Sequence, residues 1–185
     1  FGEQQQLLKT QAEYLSRKYH CVVTNPPYLG KGIGDQLKNY VQQAYPNSKA
    51  DMMVMFVERA INMCTENGKS SMIILPSWLT ASTYSNMRLD LVASSHIDSM
   101  IHMGRGIFGI DWGSVSFVLS KHISSGKGCF FRLHKKIFQH IYYNHIGQLF
   151  LQFKSNPNLR YDFSSYRDDD VANINEFIFK NSELG

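Results

Sequence analysis

One tetrapeptide in this chain has the composition of a reaction site. Asn25-Pro26-Pro27-Tyr28 follows directly on the β-rich run YHCVVT at residues 19–24. Proline has no N–H to give a sheet ladder, so the strand must stop there. Ligands of open α/β sheets bind outside the carboxyl ends of the strands, which is where the tetrapeptide falls. An exocyclic amine on a base, such as adenine N6, is a poor nucleophile because its lone pair is delocalised into the ring. Two acceptors aimed at its two hydrogens favour a more tetrahedral nitrogen and point the lone pair at an electrophile. The side-chain oxygen of Asn25 and the backbone carbonyl of Pro26 are such a pair, and successive prolines hold that carbonyl rigid. Tyr28 offers a flat face for the base to stack on once it has left the duplex. The same four residues also make a stiff turn after a strand. The chemical reading gains from context: a strand before, then a Gly-rich loop, a helix and a buried strand.

The elements that must position this motif are readable from pattern. Residues 3–17 read as a short polar helix, and residues 28–35 (YLGKGIGD) as a flexible loop. Residues 36–44 have room for one or two helical turns. Asp51 opens the clearest helix, with Met53, Phe56, Val57, Ala60, Ile61 and Cys64 at three- and four-residue spacing and Asn67-Gly68 as its stop. SMIILP (71–76) reads as a buried strand and 81–94 as a polar-rich helix. IDSMIHM (97–103) and SVSFVLSK (114–121) read as strands about a glycine-rich turn, CFFRL (129–133) as one more strand, and 135–153 as helix. Strands separated by helices imply a parallel sheet with right-handed crossovers, and the last two, joined by a turn, imply an antiparallel partner at the end. The fold class expected is α/β: a partial Rossmann-like sheet, mostly parallel, with a terminal antiparallel strand.

Composition bounds the rest. The chain has 185 residues, 43% hydrophobic and only 18% charged, enough for a real core and against a disordered chain. A net charge of +4 is mildly basic and compatible with a nucleic-acid partner. No run of about 18 apolar residues exists, so no membrane span is expected. The first residues lack the apolar segment of a signal peptide. The chain begins with Phe1, not Met, so it is expected to have been processed or cut from something longer. Cys21, Cys64 and Cys129 form no CxxC pair, so neither a zinc knuckle nor a disulfide framework is indicated and a reducing, cytoplasmic setting is the default.

The motif resembles that of S-adenosylmethionine-dependent amino-methyltransferases, the adenine-N6 DNA methyltransferases above all. The resemblance continues through VMFVERAINMCTENGKSSMIILPSWLTASTYSNMRLDLVASSHIDSMIHMG. More narrowly, NPPYLGKGIGDQLKNYVQQAYPNSKADMMVMFVERA with HMGRGIFGIDWGSVSFVLSK is similar to the PglX family, the large methyltransferases of BREX phage-defence systems. It covers roughly residues 14–135. The resemblance implies S-adenosylmethionine as cofactor and DNA as partner, with other phage-defence proteins as further partners and no metal. It makes Asn25, Pro26, Pro27 and Tyr28 the catalytic, target-base residues. Phe108 matches the position whose ring takes the other face of the flipped base; its alternative is a turn aromatic packed back on the sheet. Asp51 and Phe56 sit on the helix that passes beside the cofactor adenine, with a helix-start role and a core role as their alternatives.

One departure counts against completeness. The family's glycine-rich cofactor loop is expected before the motif, and none of the 24 residues there resembles it. Residues 1–135 are therefore expected to be the C-terminal half of a catalytic domain, and 136–185 the start of the following region. Alone, such a chain should bind cofactor poorly or not at all. Two readings stay beside the main one. The same motif serves enzymes that methylate protein glutamine amides or RNA bases, and a non-catalytic remnant would bind only DNA or a partner.

Other signals carry less. Gly104-Arg105-Gly106-Ile107-Phe108-Gly109 is a formal GxGxxG, but a strand follows it where the dinucleotide fingerprint needs a helix, so it reads as a hairpin turn. His134, His140 and His145 lack metal-ligand spacing, and Asp168–Asp170 reads as a solvated run. Lys31, Lys38 and Lys49 after the motif, and Lys121, Lys127, Arg132, Lys135 and Lys136, are candidates for phosphate contact or merely solvated faces.

Overall fold

The strand that carries the motif ends where proline removes its ladder donors, and the rest of the chain builds a sheet alongside it. The computed structural model describes residues 2–30, 32–109, 112–122, 128–133, 145–148, 151 and 160–163, with backbone alone at 130, 132 and 160–163. Helix α1 (Gly2–Ser16) precedes strand β1 (Tyr19–Thr24). Then come α2 (Asp35–Ala44), α3 (Met52–Met63), β2 (Cys64–Ile74), two short 3-10 turns (Pro76–Leu79 and Ser82–Tyr84) and α4 (Ser85–Ser94). Strands β3 (His96–Arg105), β4 (Gly113–Ser120), β5 (Gly128–Arg132) and β6 (Arg160–Phe163) complete the fold.

The sheet order is β1-β2-β4-β3-β5-β6. β1 pairs with β2, and β3 with β5, in parallel; β4 runs antiparallel to both β2 and β3, and β6 antiparallel to β5. Four strands thus run one way and two the other. The antiparallel partner expected at the end of the strand series is β4, and it lies inside the sheet, wedged between β2 and β3. β6, which local pattern did not announce, falls beyond residue 135 and joins the same sheet.

Two boundaries differ from expectation. The helix at Asp51 ends at Met63, and Cys64 already belongs to β2, so Asn67-Gly68 is not its stop. The β1–β2 register passes from Tyr19↔Cys64 to Cys21↔Lys69, so residues 65–68 bulge opposite His20. Glycine is required there: a Cβ on Gly68 would lie 2.8 Å from the Tyr19 carbonyl oxygen. The helix expected over 81–94 begins only at Ser85, because the Ser- and Thr-rich stretch before it favours side-chain-to-backbone bonds over helix. Of the helix expected over 135–153, residues 146–148 and 151 are helical and most of the remainder lies outside the described residues.

One face of the sheet carries the core. Val54 and Val57 of α3, Met72 and Ile74 of β2, Met87 of α4 and Val115, Phe117 and Leu119 of β4 are essentially without solvent contact. The Trp78 and Phe117 rings meet at 5.2 Å and 58°, a tilted pair of the kind that contributes about 0.5–1.5 kcal/mol beyond burial. Helix α3 starts from Asp51, whose Oδ1 accepts from the Met53 amide at 2.9 Å. This caps an otherwise unsatisfied helix N–H.

A polar network crosses the sheet at the end away from the motif. Asp98 of β3 accepts from Lys69 of β2, from the Ser120 hydroxyl of β4 at 2.6 Å, and pairs with His96 Nδ1 at 3.0 Å. Burial alone would push its carboxyl up, but the hydrogen bonds from Lys69, Ser120 and His96 together hold it below the ordinary carboxylate value. The network joins β2, β4 and β3, which pins the register of the inserted strand.

Two stability predictions follow from these contacts. Asp51→Ala should cost about 1 kcal/mol through the lost cap, read by thermal unfolding against wild type. Asp98→Asn should cost about 1–2 kcal/mol near neutral pH, discounted for partial exposure. A carboxyl held low in the fold stabilises above its unfolded pKa, and that contribution is lost as pH falls through the folded value. The difference between wild type and Asp98→Asn should therefore close on acidification; a gap that persists in acid would show that the charge is not its source.

Candidate functional site

The motif sits where β1 runs out. Pro26 is buried, while Asn25 and Pro27 are exposed on either side of it. A buried proline flanked by a second proline leaves the Pro26 carbonyl little freedom. Tyr28 is 40% exposed, and its hydroxyl lies 3.2 Å from Asn25 Oδ1 and 3.2 Å from the Ile73 carbonyl oxygen of β2. Burial pushes the Tyr28 hydroxyl above the ordinary phenol value, so it stays protonated.

The loop after the motif is tied to the start of α3. The Leu29 amide donates to Asp51 Oδ1 at 3.3 Å, and the Leu29 carbonyl accepts from the Met52 amide at 3.1 Å. Gly30 makes the approach possible, since a Cβ there would come within 2.9 Å of the Ala50 carbonyl oxygen. Asp51 therefore caps the helix and also holds the motif loop. Phe56 is half-buried and packs against the main core.

Beyond the tie, Gly30, Gly32, Ile33, Lys38, Val41, Gln42 and Lys49 line an open cleft of about 380 Å³. Lys38 and Lys49 are both exposed on it. Lys31 lies outside the described residues. Of the second basic group, Lys121 donates to the Ile61 carbonyl at 3.2 Å, at the end of the sheet away from the motif. Lys127, Lys135 and Lys136, and the side chain of Arg132, lie outside the described residues, as do His134, His140 and Asp168–Asp170.

The GxGxxG segment is a hairpin turn between β3 and β4. Gly104, Gly106 and Gly109 all have positive φ, and the Gly109 amide donates to the Gly106 carbonyl at 3.1 Å. Within it the two apolar residues part. Ile107 is 7% exposed and packs with Met103 and Leu133, while Phe108 is 55% exposed. Phe108 is thus not packed back on the sheet. Because β1 and β3 run in the same direction, this turn and the motif share one edge of the sheet. They are two to three strand spacings apart, on the order of 10–14 Å.

Sequence reading missed two residues on this edge. Trp112, at the far side of the same turn, is 66% exposed. An aromatic in a glycine-rich hairpin was the available signal. Arg88 is buried on α4 and donates from Nη1 to the carbonyls of Trp78 at 2.8 Å and Ala81 at 2.9 Å, clamping the loop after β2. Burial lowers its pKa. A single arginine in a polar-rich helix gives no sign that it points inward. Among the described residues no three His, Cys, Asp or Glu side chains gather where a metal could bind, and no helix is long and apolar enough to cross a membrane.

Known proteins resemble this chain in sequence and in fold. The family model of the Eco57I restriction-modification methylase matches residues 1–108. The chain is 34% identical over 129 residues to the adenine-specific methyltransferase BrxX of Escherichia coli O9:H4 (strain HS), covering 66% of this chain and 11% of that protein. It is 33% identical over 152 residues to the adenine-specific methyltransferase PglX of Lacticaseibacillus casei (strain Zhang), covering 80% of this chain and 12% of that protein. The chain thus spans about an eighth or less of the length of these curated relatives. Among solved structures, the ATP-dependent Type ISP restriction-modification enzyme LlaBIII bound to DNA superposes with a TM-score of 0.61 at 11% identity, over 86% of this chain and 13% of that one. The α/β sheet also shares its fold with a putative class I S-adenosylmethionine-dependent methyltransferase from Listeria monocytogenes, at a TM-score of 0.52 and 12% identity over 77% of this chain and 43% of that one. By the match over residues 1–108 and the identity to both relatives, this chain belongs to the Eco57I restriction-modification methylase family.

Proposed function

We propose that this chain is the base-gripping part of a DNA adenine-N6 methyltransferase acting in restriction-modification or phage defence. The single observation that carries the reading is the motif geometry: an exposed Asn25, a buried and rigid Pro26 and a half-exposed Tyr28 at the carboxyl end of β1. The adenine leaves the duplex and stacks on Tyr28, and the exposed Phe108 ring takes its other face. Asn25 Oδ1 and the Pro26 carbonyl accept the two N6 hydrogens. This draws the nitrogen toward tetrahedral geometry and frees its lone pair. Pro27 keeps the Pro26 carbonyl in place. Lys38 and Lys49, with Lys31 beside them in sequence, meet DNA phosphates along the cleft.

The methyl donor of such chemistry is S-adenosylmethionine. Of the two residues expected beside it, Asp51 accepts two backbone amides at Oδ1, and Phe56 is half-buried against the main core. Toward the cofactor these two act through placement of the motif loop. Residues 1–135 are read as the part of the catalytic domain from the motif onward, and 136–185 as the opening of the following region. The three free cysteines suit a reducing, cytoplasmic setting, and other phage-defence proteins are the partners that the resemblance to the PglX family implies.

In the full-length protein, Asn25→Ala should lower adenine methylation of DNA by about a hundredfold or more, with the thermal midpoint unchanged. Methylation at the wild-type rate would remove Asn25 from the mechanism. Replacing Lys38 and Lys49 together by Ala should weaken DNA binding across all sequences. It should also reduce the slope of log affinity against log salt by about one per lost phosphate contact; an unchanged slope would place both lysines off the DNA.

A further inference from the structure

The Tyr28 hydroxyl stands 3.2 Å from Asn25 Oδ1 and 3.2 Å from the Ile73 carbonyl oxygen. A phenol has one hydrogen and can donate to only one of them at a time, and the Ile73 carbonyl can only accept. With the Asn25 oxygen turned toward the hydroxyl, two acceptors compete for that hydrogen. Half a turn of the Asn25 amide exchanges its oxygen and nitrogen with almost no change of shape, and hydrogen bonding decides between the two positions. In the turned form Asn25 Nδ2 donates to the Tyr28 hydroxyl oxygen, which donates on to Ile73. One relay then satisfies all three groups and leaves Asn25 Oδ1 facing away from Tyr28.

We propose that Tyr28 is a positioning residue: its hydroxyl, anchored on the Ile73 carbonyl, selects the Asn25 amide orientation that presents Oδ1 to the substrate amine. This rests on the reading of Asn25 given above and adds to the stacking role of the ring. The anchor lies in the register of the sheet. Thr24 is paired with Met72, and Ile73 is the next residue of β2. Pro26 and Pro27 have no N–H to offer that strand, and the Tyr28 side chain reaches it instead. Partial burial pushes the hydroxyl above the ordinary phenol value, which favours the protonated form that the relay needs.

The test uses the full-length protein and a duplex bearing its own methylated sequence, with single-turnover methylation, KM for DNA and the fluorescence of 2-aminopurine at the target as readouts. Tyr28→Phe should keep the extrusion signal and hold KM within about twofold, yet methylate about tenfold more slowly or worse. Asn25→Asp offers two acceptor oxygens but no donor for Tyr28, and should slow by a similar factor. Adding Tyr28→Phe to Asn25→Ala should cost nothing further, since the two act as a unit. A full-rate Tyr28→Phe beside a slow Asn25→Ala overturns the relay and leaves the reading of Asn25 standing. So does a full-rate Asn25→Asp, even where Tyr28→Phe fails to fold, and so does a Tyr28→Phe whose loss lies in extrusion or KM. An Asn25→Ala at the wild-type rate removes the reading of Asn25 and the relay with it.

Discussion

Everything at the motif hangs on the joint between Leu29 and the start of α3. β1 alone could not hold the motif: none of its residues is buried, and beyond Thr24, its last ladder position, the chain soon runs into prolines that cannot donate. Rigidity comes from the other side. Leu29 gives its amide to Asp51 and its carbonyl to the Met52 amide, and α3 buries Met53, Val54, Met55, Val57, Ala60 and Ile61 behind that tie. A short loop at the surface is thereby fixed to one of the best-packed elements of the fold. Gly30 is the condition for the contact, because any side chain would separate the two backbones.

What the sequence revealed follows from what is local. The strand before the motif, the stop at Pro26, the cap at Asp51 and the hairpin character of the GxGxxG segment each depend on a few adjacent residues, and each is found where those residues placed it. What it hid is what partners decide. No pattern within SVSFVLSK says that it will enter between β2 and β3; that depends on Asp98, Lys69 and Ser120 meeting across three strands. The switch from helix to strand at Cys64 is equally silent, because Ile61, Met63 and Cys64 suit either element. The inward turn of Arg88 depends on two carbonyls, at Trp78 and Ala81, that only the folded loop presents.

The inserted strand also decides what the site can reach. Had β4 followed β3 in parallel, a crossover would have carried the chain back to the opposite edge of the sheet before β4 began. Running antiparallel, it needs only a hairpin, and that hairpin stands on the edge where β1 ends. The glycines of the turn let Ile107 go into the sheet's second apolar cluster while Phe108 stays in solvent. Burial of one residue thus sets the exposure of the next. Two exposed aromatic residues, Tyr28 after the proline turn and Phe108 in the glycine turn, consequently stand at the same end of the sheet, with the end of β2 between them. Under the proposed function, a planar base offered to that end of the sheet has one ring available for each face.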